Sequence, residues 1–356
     1  MAAVHRLRPR TSQLWEQVGL KTASRRQIPS RDSSFRYYYT TTTKQLQLQP
    51  AGKTTGTASV AVRCLSSYPN RPQSSLLKFY PASISQSIAS SSAHTMSGPS
   101  IPTTQKGIRI STTGGPEVLE FKTDLPVPTP GEGQVLVKNN LSGVNFIDTY
   151  FRTGLYPSPK PEVLGREGVG TIVALGSGDL HGFKVGDRVA WLDTAGYAEY
   201  SLAKANKTAK VPDGVKDEDV LAAFLSGLTV LTFVREAYPV QKDDWILVHA
   251  AAGGAGFLMT QLLKLAGAKV IGTAGGPEKV NLVKSLGADV VIDYKSPEGQ
   301  NWLEKVKEAT GGEGVAAVFD SVGKDTWDDS LNALKRKGTA VFFGNASGPV
   351  PPFSIQ

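Results

Sequence analysis

The sequence predicts an α/β chain: a β-rich half, then a doubly wound parallel sheet. Three observations predict it. From Ile108 to about Lys210 short β-branched runs are punctuated by Gly and by Pro126, Pro128, Pro130, Pro157, Pro159 and Pro161. From Trp245 onward, strand-like and helical stretches alternate. The charge is split: the 356 residues carry 39 Lys+Arg against 31 Asp+Glu, but residues 1–95 hold 13 and 2 of these.

The extension comes first in chain order. Residues 1–95 contain 26 Ser+Thr and only 3 of the 37 glycines. They show no sustained period of 2 or 3.6, so they read as a disordered basic extension. Arg-rich and acid-poor composition fits a mitochondrial transit peptide. The competing reading is an upstream extension ahead of a cytosolic product starting at Met96. The remainder carries 26 Lys+Arg against 29 Asp+Glu, so the basic whole-chain charge does not make the body a nucleic-acid binder. Cys64 is the only cysteine, which excludes a disulfide framework and Cys-rich metal sites. There is no run of 18 apolar residues, so no membrane span is expected.

Within the β-rich half, Val135–Lys138, Val169–Leu175 and Val185–Leu192 read as strands. A helical stretch from Asp217 to Ala237 leads onward. Five strands follow, at Trp245–His249, Lys269–Thr273, Asp289–Asp293, Val315–Asp320 and Thr339–Phe343. Helices at Phe257–Ala266, Glu278–Leu286, Gly299–Thr310 and Thr326–Lys335 separate them. The domains are expected at 96–222 and 223–356. Lys335-Arg336-Lys337 reads as a solvated helix end, and His249 as a core histidine rather than a base.

After the first parallel strand the chain reads His249-Ala-Ala-Ala-Gly253-Gly254-Ala255-Gly256. Positions 251, 253 and 256 align with G-x-G-x-x-G, with Ala251 in place of the first glycine. A Gly-rich loop alone is often a plain turn. Between strand and helix in a βαβ unit, it reads as a pyrophosphate cradle at a helix N-terminus. The second strand ends in Gly272-Thr-Ala-Gly275-Gly276, without the acid that holds a ribose 2′-hydroxyl. Lys279 lies just beyond, which suits the 2′-phosphate of NADPH; the plainer reading of Lys279 is a solvated helix residue.

Longer motifs resemble one family. They are Gly114-Gly-Pro-Glu-Val-Leu119, Gly143-Val-Asn-Phe-Ile-Asp-Thr-Tyr150, Arg152-Thr-Gly-Leu-Tyr156, Gly186-Asp-Arg-Val189, Asp243 through Lys264, Asp320-Ser-Val-Gly323 and Phe343-Gly-Asn-Ala-Ser-Gly348. From Lys106 on, the chain resembles the zinc-free, zeta-crystallin-like quinone oxidoreductases of the medium-chain dehydrogenase/reductase superfamily. The resemblance implies a GroES-like β domain beside a Rossmann domain, and NADPH-dependent reduction of quinones. It puts Asn145 and Tyr150 at the nicotinamide or substrate. It puts Gly253, Gly254, Ala255, Gly256, Gly275, Lys279, Tyr294, Ser321, Gly323, Gly344 and Asn345 along the cofactor.

Two departures from the family pattern stand out. Zinc-dependent relatives carry Gly-His-Glu and several cysteines; here Gly165-Arg166-Glu167 has no His and no cysteine follows Cys64. No metal is therefore expected, and Glu167 reads as a structural carboxylate paired with Arg166 or Arg188. The family also continues several tens of residues beyond the point matching Gln356. On that resemblance the Rossmann sheet is expected to stop after its fifth strand, without the sixth strand that forms the family's homodimer seam. Three rival readings remain: an NADPH-dependent enone or 2-enoyl-thioester reductase, a non-catalytic binder of AU-rich RNA, and an inactive fragment.

Overall fold

The computed structural model describes residues 100–353. The basic extension, Cys64 and Met96 lie outside the described residues, as do the expectations of disorder and import attached to them.

The β-rich half builds two sheets. Strands β1 (Thr104–Ile110), β2 (Glu120–Pro126) and β4 (Glu162–Val163) form one, in the order β2-β1-β4. The larger is antiparallel and runs β7-β3-β5-β6-β8, from β3 (Gln134–Ser142), β5 (Glu167–Leu175), β6 (Arg188–Leu192), β7 (Tyr200–Lys204) and β8 (Thr208–Lys210). Val135, Val137, Ile172, Val189 and Trp191 pack into its core. Helix α1 (Phe146–Thr153) leaves the end of β3. Its start is fixed locally: Asn145 is the N-cap, and the Asp148 carboxylate accepts the Asn145 backbone N–H at 2.9 Å. Its end is set by Gly154, whose φ of 84° lies in the left-handed region that glycine tolerates.

Helix α2 (Asp217–Thr232) carries Asp217, Glu218 and Asp219 in its first turn, where the helix dipole favours them. The helical stretch through Ala237 is long and apolar enough to cross a bilayer by composition alone. Here protein covers part of its apolar side. Val220 and Phe224 pack with Val169 and Ala190 of the β half, and Val230 joins the core of the parallel sheet. The expected boundary between 222 and 223 falls inside this helix, because one continuous helix serves both cores.

The second half is a parallel sheet in the order β11-β10-β9-β12-β13. Its strands are β9 (Trp245–Val248), β10 (Lys269–Ala274), β11 (Val290–Asp293), β12 (Val315–Asp320) and β13 (Leu334–Phe342). Its helices are α3 (Gly254–Leu265), α4 (Pro277–Ser285), α5 (Trp302–Ala309) and α6 (Trp327–Asn332). Alternate residues of β9 face opposite cores. Ile246 and Val248 meet Met259, Leu263 and Val283; Leu247 meets Trp302, Val306 and Ala333. Both faces are covered, which is the doubly wound arrangement. The first strand is central and the order reverses beside it, so the C-terminal ends of β9, β10 and β12 form the crevice.

Lys335, Arg336 and Lys337 are exposed as expected, but they lie in β13 rather than at a helix end. The register jumps from Val315↔Leu334 to Ala317↔Thr339, so the basic run forms an irregularity in the ladder, with Lys337 at φ 66°. Pairing with β12 overrides the helix preference of Lys and Arg. Strand β13 pairs with β12 on one side and with no other strand among the described residues.

Candidate active site and cofactor cradle

The phosphate loop is made of backbone. Ala250 turns the chain at φ 50°, and the Gly253 N–H closes that turn on the Ala250 carbonyl at 2.8 Å. Gly253 is the N-cap of α3, so the first N–H groups of the helix, at Gly254, Ala255 and Gly256, lack intrahelical acceptors. A Cβ on Gly256 would lie 2.4 Å from the Ala250 carbonyl oxygen and 2.7 Å from Ala251 Cα. Ala251 in the first-glycine position is accommodated across the sheet. It is fully buried, and the residue facing its methyl is Gly272, where a Cβ would sit 3.0 Å away.

Gly275 and Lys279 follow β10 and Tyr294 follows β11, all three expected along the cofactor. A Cβ on Gly275 would meet the Tyr294 hydroxyl at 2.6 Å, so the tyrosine lies directly over this glycine and stays 45 % exposed. The Asp293 carboxylate accepts the Gly276 N–H at 2.8 Å and the Lys295 N–H at 3.0 Å. Those bonds hold its pKa below the ordinary carboxylate value. Lys279 is exposed in the first turn of α4 and makes no ion pair among the described residues. Lys295 also approaches this corner, its Cε 3.1 Å from the position of a Gly275 Cβ. Sequence reasoning missed it, because only the fold of β11 back onto β10 brings it there.

The loops carrying Ser321, Gly323, Gly344 and Asn345 pack backbone to backbone. The Ala346 N–H reaches the Ser321 carbonyl at 3.2 Å and the Ser347 N–H the Val322 carbonyl at 2.9 Å. A Cβ on Gly344 would lie 2.6 Å from the Ser321 oxygen, and one on Gly323 2.8 Å from the Gly348 oxygen. A buried chain of hydrogen bonds links these loops to the phosphate loop. The Ala250 N–H reaches Thr273 Oγ1 at 3.3 Å, and Thr273 Oγ1 lies 3.1 Å from His249 Nδ1. On the other side of the ring, His249 Nε2 lies 3.1 Å from Ser330 Oγ, which donates to Asp320 at 2.8 Å. Asp320 in turn accepts the Val322 and Gly323 N–H groups at 2.7 and 3.1 Å. Because the Ser330 proton goes to Asp320, Nε2 of His249 carries a proton and Nδ1 accepts from Thr273. Burial pushes His249 down to about 4, against the pull of Asp320, so the ring is neutral: a core histidine, as expected.

The β half contributes side chains. Tyr150 is 8 % exposed, and its hydroxyl accepts the backbone N–H of Asn345 at 2.7 Å. That bond joins α1 to the loop after β13. Burial raises the phenol above its ordinary value, so it is protonated at neutral pH. Tyr156 and Phe146 pack their rings at 5.1 and 5.5 Å from Tyr150. Asn145 donates through Nδ2 to Glu167 Oε1 at 2.8 Å. The backbone N–H of Leu225 donates to Glu167 Oε2 at 3.1 Å. Asp148 caps α1 and accepts the Tyr197 hydroxyl at 2.6 Å.

The expected pairing of Glu167 with an arginine is corrected. Arg166 pairs with Glu162 and lies 3.5 Å over the Phe151 ring, while Arg188 pairs with Asp217 at 3.3 Å. Both guanidinium groups have nearer carboxylates, and Glu167 points inward from the sheet to Asn145 and α2.

Comparison with known proteins gives the family. Residues 131–213 match the alcohol dehydrogenase GroES-like domain, and residues 254–356 match the zinc-binding dehydrogenase model. The quinone oxidoreductase of Salmonella typhimurium is 45 % identical over 240 residues, covering 67 % of this chain and 72 % of that protein. The chain is a zinc-independent quinone oxidoreductase of the zeta-crystallin-like group. The Escherichia coli quinone oxidoreductase solved with NADPH superposes on this oxidoreductase at a TM-score of 0.66 and 41 % identity, covering 70 % of this chain and 76 % of that one. The 2-haloacrylate reductase of a Burkholderia species is 37 % identical, covering 68 % of this chain and 74 % of that protein.

The residues of this oxidoreductase do not fit the metal in the second model's name. Arg166 stands where zinc-dependent relatives carry His, no cysteine follows Cys64, and both Glu167 oxygens are already bonded to N–H groups. They do fit a dinucleotide, because the Gly256 approach and the free N–H groups of α3 make a cradle that a side chain would fill.

Proposed function

We propose that this oxidoreductase reduces a quinone with NADPH through the residues assembled above. The observation that carries the reading is the 2.7 Å bond from the Asn345 N–H to the Tyr150 hydroxyl. It sets the Asn145–Tyr150 helix against the loops at the C-terminal ends of the parallel strands.

NADPH, when bound, supplies hydride to the quinone. The N–H groups of Gly254, Ala255 and Gly256 hold its pyrophosphate. Lys279, Lys295 and Tyr294, with Gly275 leaving room beneath, hold the 2′-phosphate. Ser321, Gly323, Gly344 and Asn345 line the nicotinamide end, where Asn145 orients the carboxamide or the acceptor. Tyr150 accepts from Asn345 and retains its own O–H, which it donates to the quinone oxygen as negative charge develops there. The aromatic rings of Phe146 and Tyr156, edge-on and tilted against Tyr150, offer apolar surface to the acceptor.

Disappearance of reduced-nicotinamide absorbance in the presence of a benzoquinone or naphthoquinone tests this. A preference for a 2-enoyl thioester or an enone over every quinone would favour the second reading, for which the 2-haloacrylate reductase relative is the supporting observation.

A homodimer is the assembly that the resemblance implies, and the outer edge of β13, unpaired among the described residues, is where a further strand would join. Sedimentation of the purified chain tests it. Mitochondrial import is proposed for residues 1–95; a native N-terminus at Met96 in cytosolic protein would overturn it.

A further inference from the structure

Among the described residues Glu167 is a carboxylate without a cation. It is 3 % exposed, and its neighbours Arg166 and Arg188 are turned to Glu162 and Asp217. Burial, reinforced by the nearby Asp148, pushes it up to about 7. A side chain held at such a cost to the fold needs a reason that packing does not supply, since an apolar residue would fill the same volume. The fold also makes room for it: a Cβ on Gly143 would lie 2.1 Å from Glu167 Oε1.

The reason lies in its two bonds. An asparagine amide has nearly the same shape either way round, so only its partners decide which end faces where. Ionised, as it is above about 7, Glu167 only accepts. Glu167 Oε1 therefore binds the NH2 end of Asn145, while Oε2 is occupied by the Leu225 N–H of α2. The same helix lies on the phosphate loop, with Ser226 Oγ 3.6 Å from the position of a Gly254 Cβ. We propose that Glu167 is a positioning residue for the hydride-transfer site. It fixes the orientation of the Asn145 amide and references it to the helix that abuts the cofactor cradle. This rests on the reading that Asn145 acts in the site.

The chemistry allows a test that separates orientation from structure. In Glu167→Gln an NH2 turned toward the Leu225 N–H would set donor against donor on a fixed helix, so the new side chain presents its NH2 to Asn145 instead. Donor then faces donor, and Asn145 must turn over or move. In Asn145→Asp alone, two carboxylates face each other. In the double variant an acceptor again meets a donor, and aspartate caps a helix as well as asparagine does. Each single variant should therefore lose roughly tenfold or more in kcat with quinone, the scale of a charge-assisted hydrogen bond. NADPH affinity should change by less than about threefold, because the phosphate cradle is untouched. The double variant should regain most of the lost kcat.

The activity–pH profile is a second readout. The wild-type limb near neutrality should be absent in Glu167→Gln. The groups facing this carboxylate are Asp148 and Asn145 on the α1 side and the Leu225 N–H on α2, while Arg166 is held by Glu162 and Tyr197 by Asp148.

Wild-type kcat in Glu167→Gln, or a double variant no faster than either single, would overturn the proposal. Asn145→Ala with unchanged turnover would overturn the reading of Asn145, and this inference with it. Asn145→Ala slow while Glu167→Gln is wild type would overturn only the inference.

Discussion

The two sides of the site are built from different materials. The nucleotide side is backbone: N–H groups of α3, the Gly256 approach, and loops around Gly323 and Gly344 with no room for a Cβ. The β side is side chain: Asn145, Tyr150, Glu167 and Asp148, each held by a partner distant in sequence. The difference teaches where each side is vulnerable. Backbone geometry tolerates no added atom, whereas a side-chain network tolerates isosteric change but not a reversed donor.

The largest effect should come from filling the backbone side. Gly256→Val puts atoms against Ala250 and Ala251 that only main-chain movement can relieve. Titration with NADPH should show affinity reduced roughly 100-fold or more, from overpacking against rigid backbone. Near-normal binding would mean that the cradle is not where the dinucleotide sits.

The next effect belongs to the side-chain network and concerns stability. The Glu167 carboxyl keeps its proton to about 7 in the fold and releases it near 4.5 when unfolded. Between those values the native state binds more protons, so its stability falls as pH rises. Glu167→Gln lacks that loss. Denaturant unfolding at several pH values should show the variant gaining about 3 kcal/mol on wild type across this window, an upper scale for such a shift. A pH-independent difference would show that Glu167 ionises normally.

Tyr150→Phe sharpens the comparison, because it breaks the bond joining the two sides. The Asn345 N–H loses its acceptor, and the acceptor oxygen of the quinone loses its donor. A roughly tenfold fall in kcat is expected, with NADPH still bound. Unchanged turnover would remove Tyr150 from the mechanism. Smallest is Lys279→Ala: the exposed cation should contribute about fivefold to NADPH and nothing to NADH. Equal losses for both would remove it from the 2′-phosphate.

The same contrast explains how much could be read in advance. The parallel sheet was legible because its strands and helices alternate locally, and the cradle because close backbone approach leaves glycines in a short run. The family motifs placed Gly275, Tyr294, Ser321 and Gly344 along the cofactor; that Tyr294 lies over Gly275 and that the two loops face each other is visible only in the fold. The partners of Glu167 were not legible. Asn145 is 22 residues away and Leu225 is 58, and the adjacent arginines suggested a pairing that nearer carboxylates pre-empt. Lys295 was missed for the same reason. The basic run at 335–337 was misread because strand pairing outweighs helix preference there.

The central claim is that one chain joins an NADPH cradle to a metal-free quinone site. Nicotinamide fluorescence on the purified full-length chain tests it most directly, first with NADPH and NADH, then after addition of quinone in the presence of a strong chelator. The account predicts selective NADPH binding, and quinone-dependent loss of the signal that the chelator leaves intact. Binding of NADPH with no quinone-dependent oxidation, or oxidation that the chelator abolishes and zinc restores, would contradict it.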